Sequence, residues 1–511
     1  MDKRAKLKEA ISMNLLEQCQ AWNENDEYQK IIDSIEALAE GDRSPELDSE
    51  LARAYNNIAG VGDRELYEKA VHLLKPHEAY FEGDHCWNFR MAYAYYYLDQ
   101  EGPALRYFEQ ALEARPGDED TKEFIDDCRR RLSLPRFEKN FRQRAREAWA
   151  SFLQREEELR RLMDYKNQEE AGEELIAACE RILRLAFEDI AFELGFNGEK
   201  YELILTPEGD SSKLFELTYF QRLVPQSLLE RWNVWVGRQR TAGFGLRSFG
   251  LEITEKDVQV WVERTEGEQI SLSMYCEKIL PLLREEEGKA WWMLSTLTDQ
   301  VLGEIAAMAL IDSFDVLQSP REQPSVALAE LPEALKSMGV NLQIDSTSFL
   351  ENSYLAYQMD PNEDVDADWR LDVFAGSTRC PALVNDYLSG ESKTMDAFHQ
   401  DGAVPGFICY PMNGFTGENR GKEAMEFRDA LEDAILQQAG EDAVTFLGGA
   451  SGLYCGYLDF IAWDLPAVLD AAVAFFKGGT AAWAGFHTFR RDVGTVRLFS
   501  GGEDDTVSTH E

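Results

Sequence analysis

A thiol, an imidazole and a carboxylate are the parts of a nucleophilic active site, and the C-terminal half of this chain holds one set: Cys380 in STRCPALVND, with His399 or His487 as base. The surroundings of His487 in AGFHTFRRD, between Phe486 and Phe489, suit a ring that satisfies a backbone group near a strand end. The neighbouring Arg490-Arg491 pair suits local carboxylates. The glycine-rich run FLGGASGLYCG sets Gly448, Gly449, Gly452 and Gly456 around Ser451 and invites comparison with a phosphate loop or a nucleophilic serine. A phosphate loop needs Lys-Ser/Thr after its glycines, and a nucleophile elbow needs glycines at fixed offsets from the serine. Neither pattern is met, so the run predicts a hairpin between AVTFLGG and LYCGYLDFIAW. In DPNEDVDADW, Asp364, Asp366 and Asp368 alternate as at the start of a calcium loop, but Trp369 and Ala375 stand where its glycine and closing glutamate belong. No complete catalytic set results, and neither a metal nor another cofactor is expected.

Charge narrows the partners. With 52 Lys+Arg against 94 Asp+Glu, the 511-residue chain carries a formal −42, which repels phosphate backbones and anionic lipid. Nucleic acid and membrane are therefore excluded as expected partners, and a protein or peptide with a basic surface fits best. The eight cysteines show neither a CxxC pair nor Cys/His clustering at metal-ligand spacing, so reduced, mostly buried thiols are expected. The N-terminus is charged from its second residue and no apolar run reaches membrane-spanning length, which points to the cytoplasm. A hydrophobic share of 44% over this length predicts three or four domains.

The elements that would position a binding surface appear first as a repeat. In HCWNFRMAYAYYYLDQEGPALRYFEQALEARPGD, small residues (Ala92, Ala104, Ala111) stand where helices must touch, and Met91, Tyr95 and Phe108 fill between them. Pro116 stops the second helix. Ala70 and Leu74 precede Ala104 and Phe108 by one 34-residue period, and LLEQCQAWNEN with EYQKIIDSIEAL forms a weaker earlier copy. The segment resembles the tetratricopeptide-repeat family, and more narrowly bacterial proteins whose N-terminal arrays read much like EYQKIIDSIEAL, LARAYNNIA and WNFRMAYAYYYL. The resemblance covers the first quarter of the chain and implies an α-solenoid whose first helices line a concave groove. In that register Phe89, Tyr93, Tyr96 and Tyr97, with Tyr55 one repeat earlier, fall on groove-lining helices and are candidate anchors for a partner. Members that clamp a partner's terminal carboxylate use Lys, Asn and Arg there. Asn56 and Arg90 stand at matching places, but Glu17, Ala21 and Cys86 occupy the others, so that ligand is not expected.

The whole reads as a multidomain α and α+β protein. Residues 1–133 form the array with a capping helix at DEDTKEFIDDCRRRL, and 134–165 a connecting helix with an apolar stripe of Phe141, Ala145, Trp149 and Phe152. Two α+β domains follow, 166–318 and 319–500, then a disordered tail, 501–511. The first is expected to open with one long helix, EEAGEELIAACERILRLAFEDIAFEL, and to use KLFELTYF and AAMALIDSFDVL as strands. Matched features (Trp232–Gly237 with Trp369–Gly376, Cys276 with Cys409, Gly303 with Gly448) suggest a degenerate duplication, testable by strand order. The expected function is non-enzymatic protein binding or scaffolding. The alternatives are an immunity or accessory role in a bacterial toxin system, by analogy with such arrays, and a thiol-dependent enzyme using Cys380.

Overall fold

The computed structural model describes residues 3–165, 168–265, 269–416 and 419–501. The tail from residue 502 lies outside the described residues. Seven helices come first: α1 (Lys3–Glu24), α2 (Tyr28–Glu36), α3 (Pro45–Ile58), α4 (Arg64–Leu74), α5 (His85–Tyr97), α6 (Glu101–Ala114) and α7 (Glu119–Ser133). Their starts are chemically marked. Ser44, Asp84 and Asp118 each accept a backbone N–H of the first turn of α3, α5 and α7, satisfying a donor that the helix itself cannot. Each helix packs on the next, and alternate helices touch as well, α1 on α3 and α3 on α5. Ala70, Ala92, Ala104 and Ala111 are fully buried at these crossings, where any larger side chain would force the helices apart. The 34-residue spacing is visible in contacts: Asn56 donates to the carbonyl of Arg90, and Arg64 to that of Leu98.

Helix α8 (Phe141–Met163) is more than a connector. Its stripe of Phe141, Ala145, Trp149 and Phe152 is buried in the largest core, with the Trp149 indole N–H donating to the Phe220 carbonyl. Around it lie α9 (Gln168–Leu183), a three-stranded sheet of β1 (Ala191–Phe196), β2 (Tyr201–Thr206) and β3 (Trp232–Val236), and α10 (Lys213–Arg222). The predicted long helix thus ends at Leu183, and its last residues are β1, paired antiparallel with β2. KLFELTYF is α10 and not a strand. It is buried from Leu214 to Phe220, with Glu216 and Thr218 among the buried residues, so it has no helical stripe to read.

A smaller core is inserted next. It holds β4 (Gly245–Ser248), β5 (Leu251–Thr254), β6 (Gln259–Arg264), β7 (Ile270–Tyr275), α11 (Leu280–Glu285), α12 (Glu287–Leu302), α13 (Glu304–Leu310), β8 (Ile311–Val316), β9 (Val326–Ala327) and α14 (Leu331–Ser337). Of the predicted strand AAMALIDSFDVL, AAMAL is helical in α13, because Gly303 at φ 87° breaks α12 and restarts it. Strand β9 pairs with β6, and Leu331 and Leu335 join this core, so the unit runs past the sequence boundary at 318.

The remainder is α15 (Ser346–Asn352), β10 (Leu355–Gln358), β11 (Val373–Thr378), α16 (Pro381–Ser389), α17 (Lys393–Asp401), β12 (Val404–Pro411), α18 (Arg420–Ala439), β13 (Val444–Gly452), β14 (Cys455–Ala462), α19 (Leu465–Lys477), β15 (Trp483–Thr488) and β16 (Val496–Ser500). Its strands form one antiparallel sheet in the order β10-β11-β13-β14-β12-β15-β16. The earlier region has β1-β2-β3 and β8-β7-β6-β9, each with a parallel pair. Different strand orders end the duplication idea: the shared Trp, Cys and Gly landmarks sit in unrelated topologies. The expected hairpin is β13–β14, and Gly449 is required there because a Cβ would strike the Tyr457 carbonyl on the partner strand.

The array is seated on this body. Arg106 and Arg490 both bind Asp396, and Gly102 of α6 lies against that cluster with no room for a side chain. Among the described residues, no helix is long and apolar enough to cross a membrane.

Candidate functional site

Spacing along α3 and α5 builds a cavity on the side where alternate helices meet. Residues three and four apart share a helix face, so α3 presents Arg53, Asn56 and Asn57, and α5 presents His85, Cys86, Phe89, Arg90 and Tyr93. Asn23 of α1 and Tyr28 of α2 complete the wall of a space of about 320 Å³. Phe89 and Tyr93 form its aromatic side, ring centroids 6.2 Å apart.

The charges are arranged around one carboxylate. Glu50 pairs with Arg53 and, at 2.9 Å, with Arg90, whose other guanidinium nitrogen donates to the Ser49 hydroxyl at 2.5 Å. Two cations share this anion, while Asp118 lies 3.9 Å from His85 and Asp26 accepts from the Tyr28 hydroxyl at 2.6 Å. Burial, with Arg115 nearby, lowers the His85 pKa and favours the neutral ring. Four buried polar atoms of the lining have no hydrogen-bond partner: Asn23 Oδ1, Arg53 Nε, Asn56 Oδ1 and His85 Nδ1. An unpaired buried polar atom costs about 1–3 kcal/mol, and these four belong to residues that line one cavity.

Of the residues singled out in the sequence, Asn56, Phe89, Arg90 and Tyr93 meet here. The other three do not. Tyr55 is buried and donates to Glu36 at 2.5 Å. Tyr97 stacks on Tyr67 of α4 at 5.1 Å. Tyr96 turns to α7, donating to Asp127 at 2.7 Å, accepting from Arg131 at 2.8 Å and meeting Phe124 edge-on. Tyr93 and Tyr96 therefore differ in their polar partners, although both meet Phe124 of α7. Asn23, Tyr28, Arg53, Asn57 and His85 were missed as lining residues, and Cys86 was placed in the groove only as a departure from the carboxylate-clamp pattern. The i, i+3 and i, i+4 intervals from Arg53 to Asn56 and Asn57, and from Cys86 to Phe89 and Arg90, were the signal that could have found them.

The candidate catalytic residues are held elsewhere. Cys380 is buried, and burial pushes its thiol up to about 12, with Asp210 and Asp386 adding to the effect. His399 points at Glu101 across the seam with the array, 3.7 Å away. Both ring nitrogens of His487 lie against backbone carbonyls, Thr488 at 2.6 Å and Val493 at 3.1 Å. Arg428 holds the Ser451 hydroxyl at 3.3 Å, and Asp368 pairs with Arg491 at 2.6 Å.

Two further charge centres lie in the body. Arg370, 1% exposed and at φ 69°, binds both oxygens of fully buried Asp459 and the Tyr357 hydroxyl, beneath the rings of Phe407, Tyr457 and Phe489. Arg238 joins β3 to the inserted unit, with Glu193 at 2.6 Å, Glu208 at 2.5 Å, Glu304 at 3.6 Å and Asp299 at 4.0 Å. Four carboxylates around one guanidinium leave negative charge in excess. Burial, then Glu304, pushes Asp299 up to about 8.

No family model, curated protein or solved structure matches the chain.

Proposed function

We propose that the chain is a protein-binding or scaffold protein, and that its helical repeats form a tetratricopeptide-like solenoid whose inner face holds a segment of a partner. The observation that carries this is the grouping of four partnerless buried polar atoms around one aromatic-walled cavity on α1, α3 and α5. Peptide groups offer the donors and acceptors those atoms lack, while Phe89 and Tyr93 supply rigid apolar area. The net charge of −42 draws a basic partner toward the molecule over long range. The eight free cysteines suit the reducing cytoplasm. Cys380 is buried, and its two histidines lie against Glu101 and against backbone carbonyls, so they lend the thiol-enzyme alternative no support.

A photo-crosslinking side chain placed at exposed Asn57, on the cavity rim, tests this in living cells. A discrete protein adduct is expected, lost when Phe89→Ala is added, with a melting curve showing that the array still folds. The same label at Glu113, outside this cavity, should give no such adduct. Equal labelling from both positions, or an adduct indifferent to Phe89→Ala, would overturn the assignment.

A further inference from the structure

The inserted unit is built around a core of its own, and the chain enters it between β3 and β4 and leaves it between α14 and α15. We propose that the joint between this unit and the body is a proton-held latch, closed while one carboxylic acid in it keeps its proton and opening as pH rises and that acid ionises. The latch is independent of what the array binds.

Charged groups hold the joint. Arg238 reaches Glu193 of β1 and Glu208 beyond β2 in the body, and Asp299 of α12 and Glu304 of α13 in the inserted unit. Backbone bonds tie the first crossing to the same helices, from the Glu304 N–H to the Arg238 carbonyl at 2.9 Å and from the Thr241 N–H to the Gln300 carbonyl at 2.7 Å. Between the crossings lies a space of about 560 Å³, walled by Arg240 on the first, Leu342 and Ile344 on the second and Ile305 of α13. Gly237 and Gly339, at φ 78° and 82°, stand at the two crossings, and hinge motions are taken up at a few loop positions of this kind. A joint that relies on charge rather than on a large apolar face permits relative motion of the two cores.

The charges do not balance. One guanidinium faces four carboxylates, and Arg240 on the cavity wall is exposed to water. Asp299 is 17% exposed. Burial, then Glu304, pushes it up to about 8, with Arg238 opposing and Glu208 adding to the effect. Burial raises Glu304 too, although its oxygens accept the Arg238 backbone N–H at 2.9 Å and the Thr206 hydroxyl at 3.0 Å. Opening lets water reach Asp299 and returns it towards the ordinary carboxylate range at about 4. The closed joint therefore binds one more proton than the open one between about pH 4 and 8. Opening grows more favourable across that interval, by up to about tenfold per pH unit, and levels off above it.

Hydrogen exchange of the native full-length chain at pH 6, 7 and 8, each rate divided by the intrinsic exchange rate at that pH, tests this. Peptides that carry the Thr241 and Glu304 amides should show an opening equilibrium that rises at least about fivefold from pH 6 to 8. Peptides of β6 and β7 within the unit, and of β12 and β14 in the body, should stay level. Asp299→Asn, nearly the same shape without the titration, should abolish the rise. Glu208→Gln, at a side chain 44% exposed and with little risk to folding, should flatten it, because one of the like charges that keep the proton on Asp299 is gone. A rise that survives Asp299→Asn or is unmoved by Glu208→Gln, a rise shared by β12 and β14, or no rise in the native chain would each overturn the latch.

Discussion

The cavity of the array and the Arg370 centre of the seven-stranded sheet both gather buried polar groups, and they treat them in opposite ways. Around Arg370 the bonds close on one another. Its guanidinium binds Asp459 and Tyr357, its backbone N–H donates to the Tyr457 hydroxyl, and that hydroxyl donates to Asp372, which also accepts the N–H groups of Tyr454 and Cys455. Around Arg53 and Asn56 they do not close, and a space adjoins the open ends. A network that satisfies itself is structure, and the one left open beside a cavity is where we propose that a partner binds. Net charge and composition do not draw this distinction, since both places combine arginine, carboxylate and aromatic rings.

The sharpest way to break the comparison is at the closed network. Arg370→Met leaves Asp459 charged and alone in the core, which should destabilise the chain by about 3–5 kcal/mol in a denaturant titration. Adding Asp459→Leu should recover much of that loss, because the pair as a whole contributes little beyond what a well-packed apolar pair would. If the single change were tolerated, the centre would not be the structural knot its bonding indicates.

The Arg238 centre lies between the two cases, with too many carboxylates for its one cation. Asp299, pushed up to about 8, holds its proton in the folded chain at pH values where the unfolded chain has released it. The folded state therefore binds more protons, and this group's contribution to stability falls as pH rises from near 4 towards 8. Asp299→Asn should remove that loss, gaining at least about 1 kcal/mol at pH 8 and much less at pH 4. Thermal melts of both proteins at the two pH values measure it, and a gain that does not grow with pH would refute the excess-charge account.

Much of the array was legible because its sequence rule is steric. Small residues must stand at helix crossings, and Ala70, Ala92, Ala104 and Ala111 do. The stripe on α8 was legible for the same reason, although its burial in the main core was not: a stripe says that a face is covered, not by what. Helix α10 was lost because an element buried nearly all round has no period to show. Sheet order was lost because pairing joins strands far apart in sequence, as β12 with β14 and β15. At the site, residues three apart differ by about 60° around a helix. Both rings meet Phe124 of α7, but Tyr96 alone bonds Asp127 and Arg131 there, and Tyr93 alone of the two lines the cavity.

That division gives a smaller test. Tyr96→Phe deletes the hydroxyl bonds to Asp127 and Arg131, so stability should fall by about 1 kcal/mol while crosslinking from Asn57 stays unchanged. Loss of the crosslink with stability intact would return Tyr96 to the binding surface.

The smallest expected effect on stability belongs to Asn56, and it separates the two kinds of network most cleanly. Its Nδ2 donates to the Arg90 carbonyl at 2.9 Å, which is worth about 1 kcal/mol net, while its buried Oδ1 is unpaired at a cost of similar size. Asn56→Leu, close in volume, removes both at once. The carbonyl of Arg90 already serves within α5, so the change should leave the unfolding midpoint nearly where it was, within about 1 kcal/mol. A side chain of a closed network would not permit this, as Arg370→Met should show. Partner crosslinking from Asn57, by contrast, should drop several-fold, because the acceptor that the incoming segment would use is gone. A large fall in stability would mean that Asn56 serves the core, and an unchanged crosslink would mean that its open oxygen faces nothing that binds.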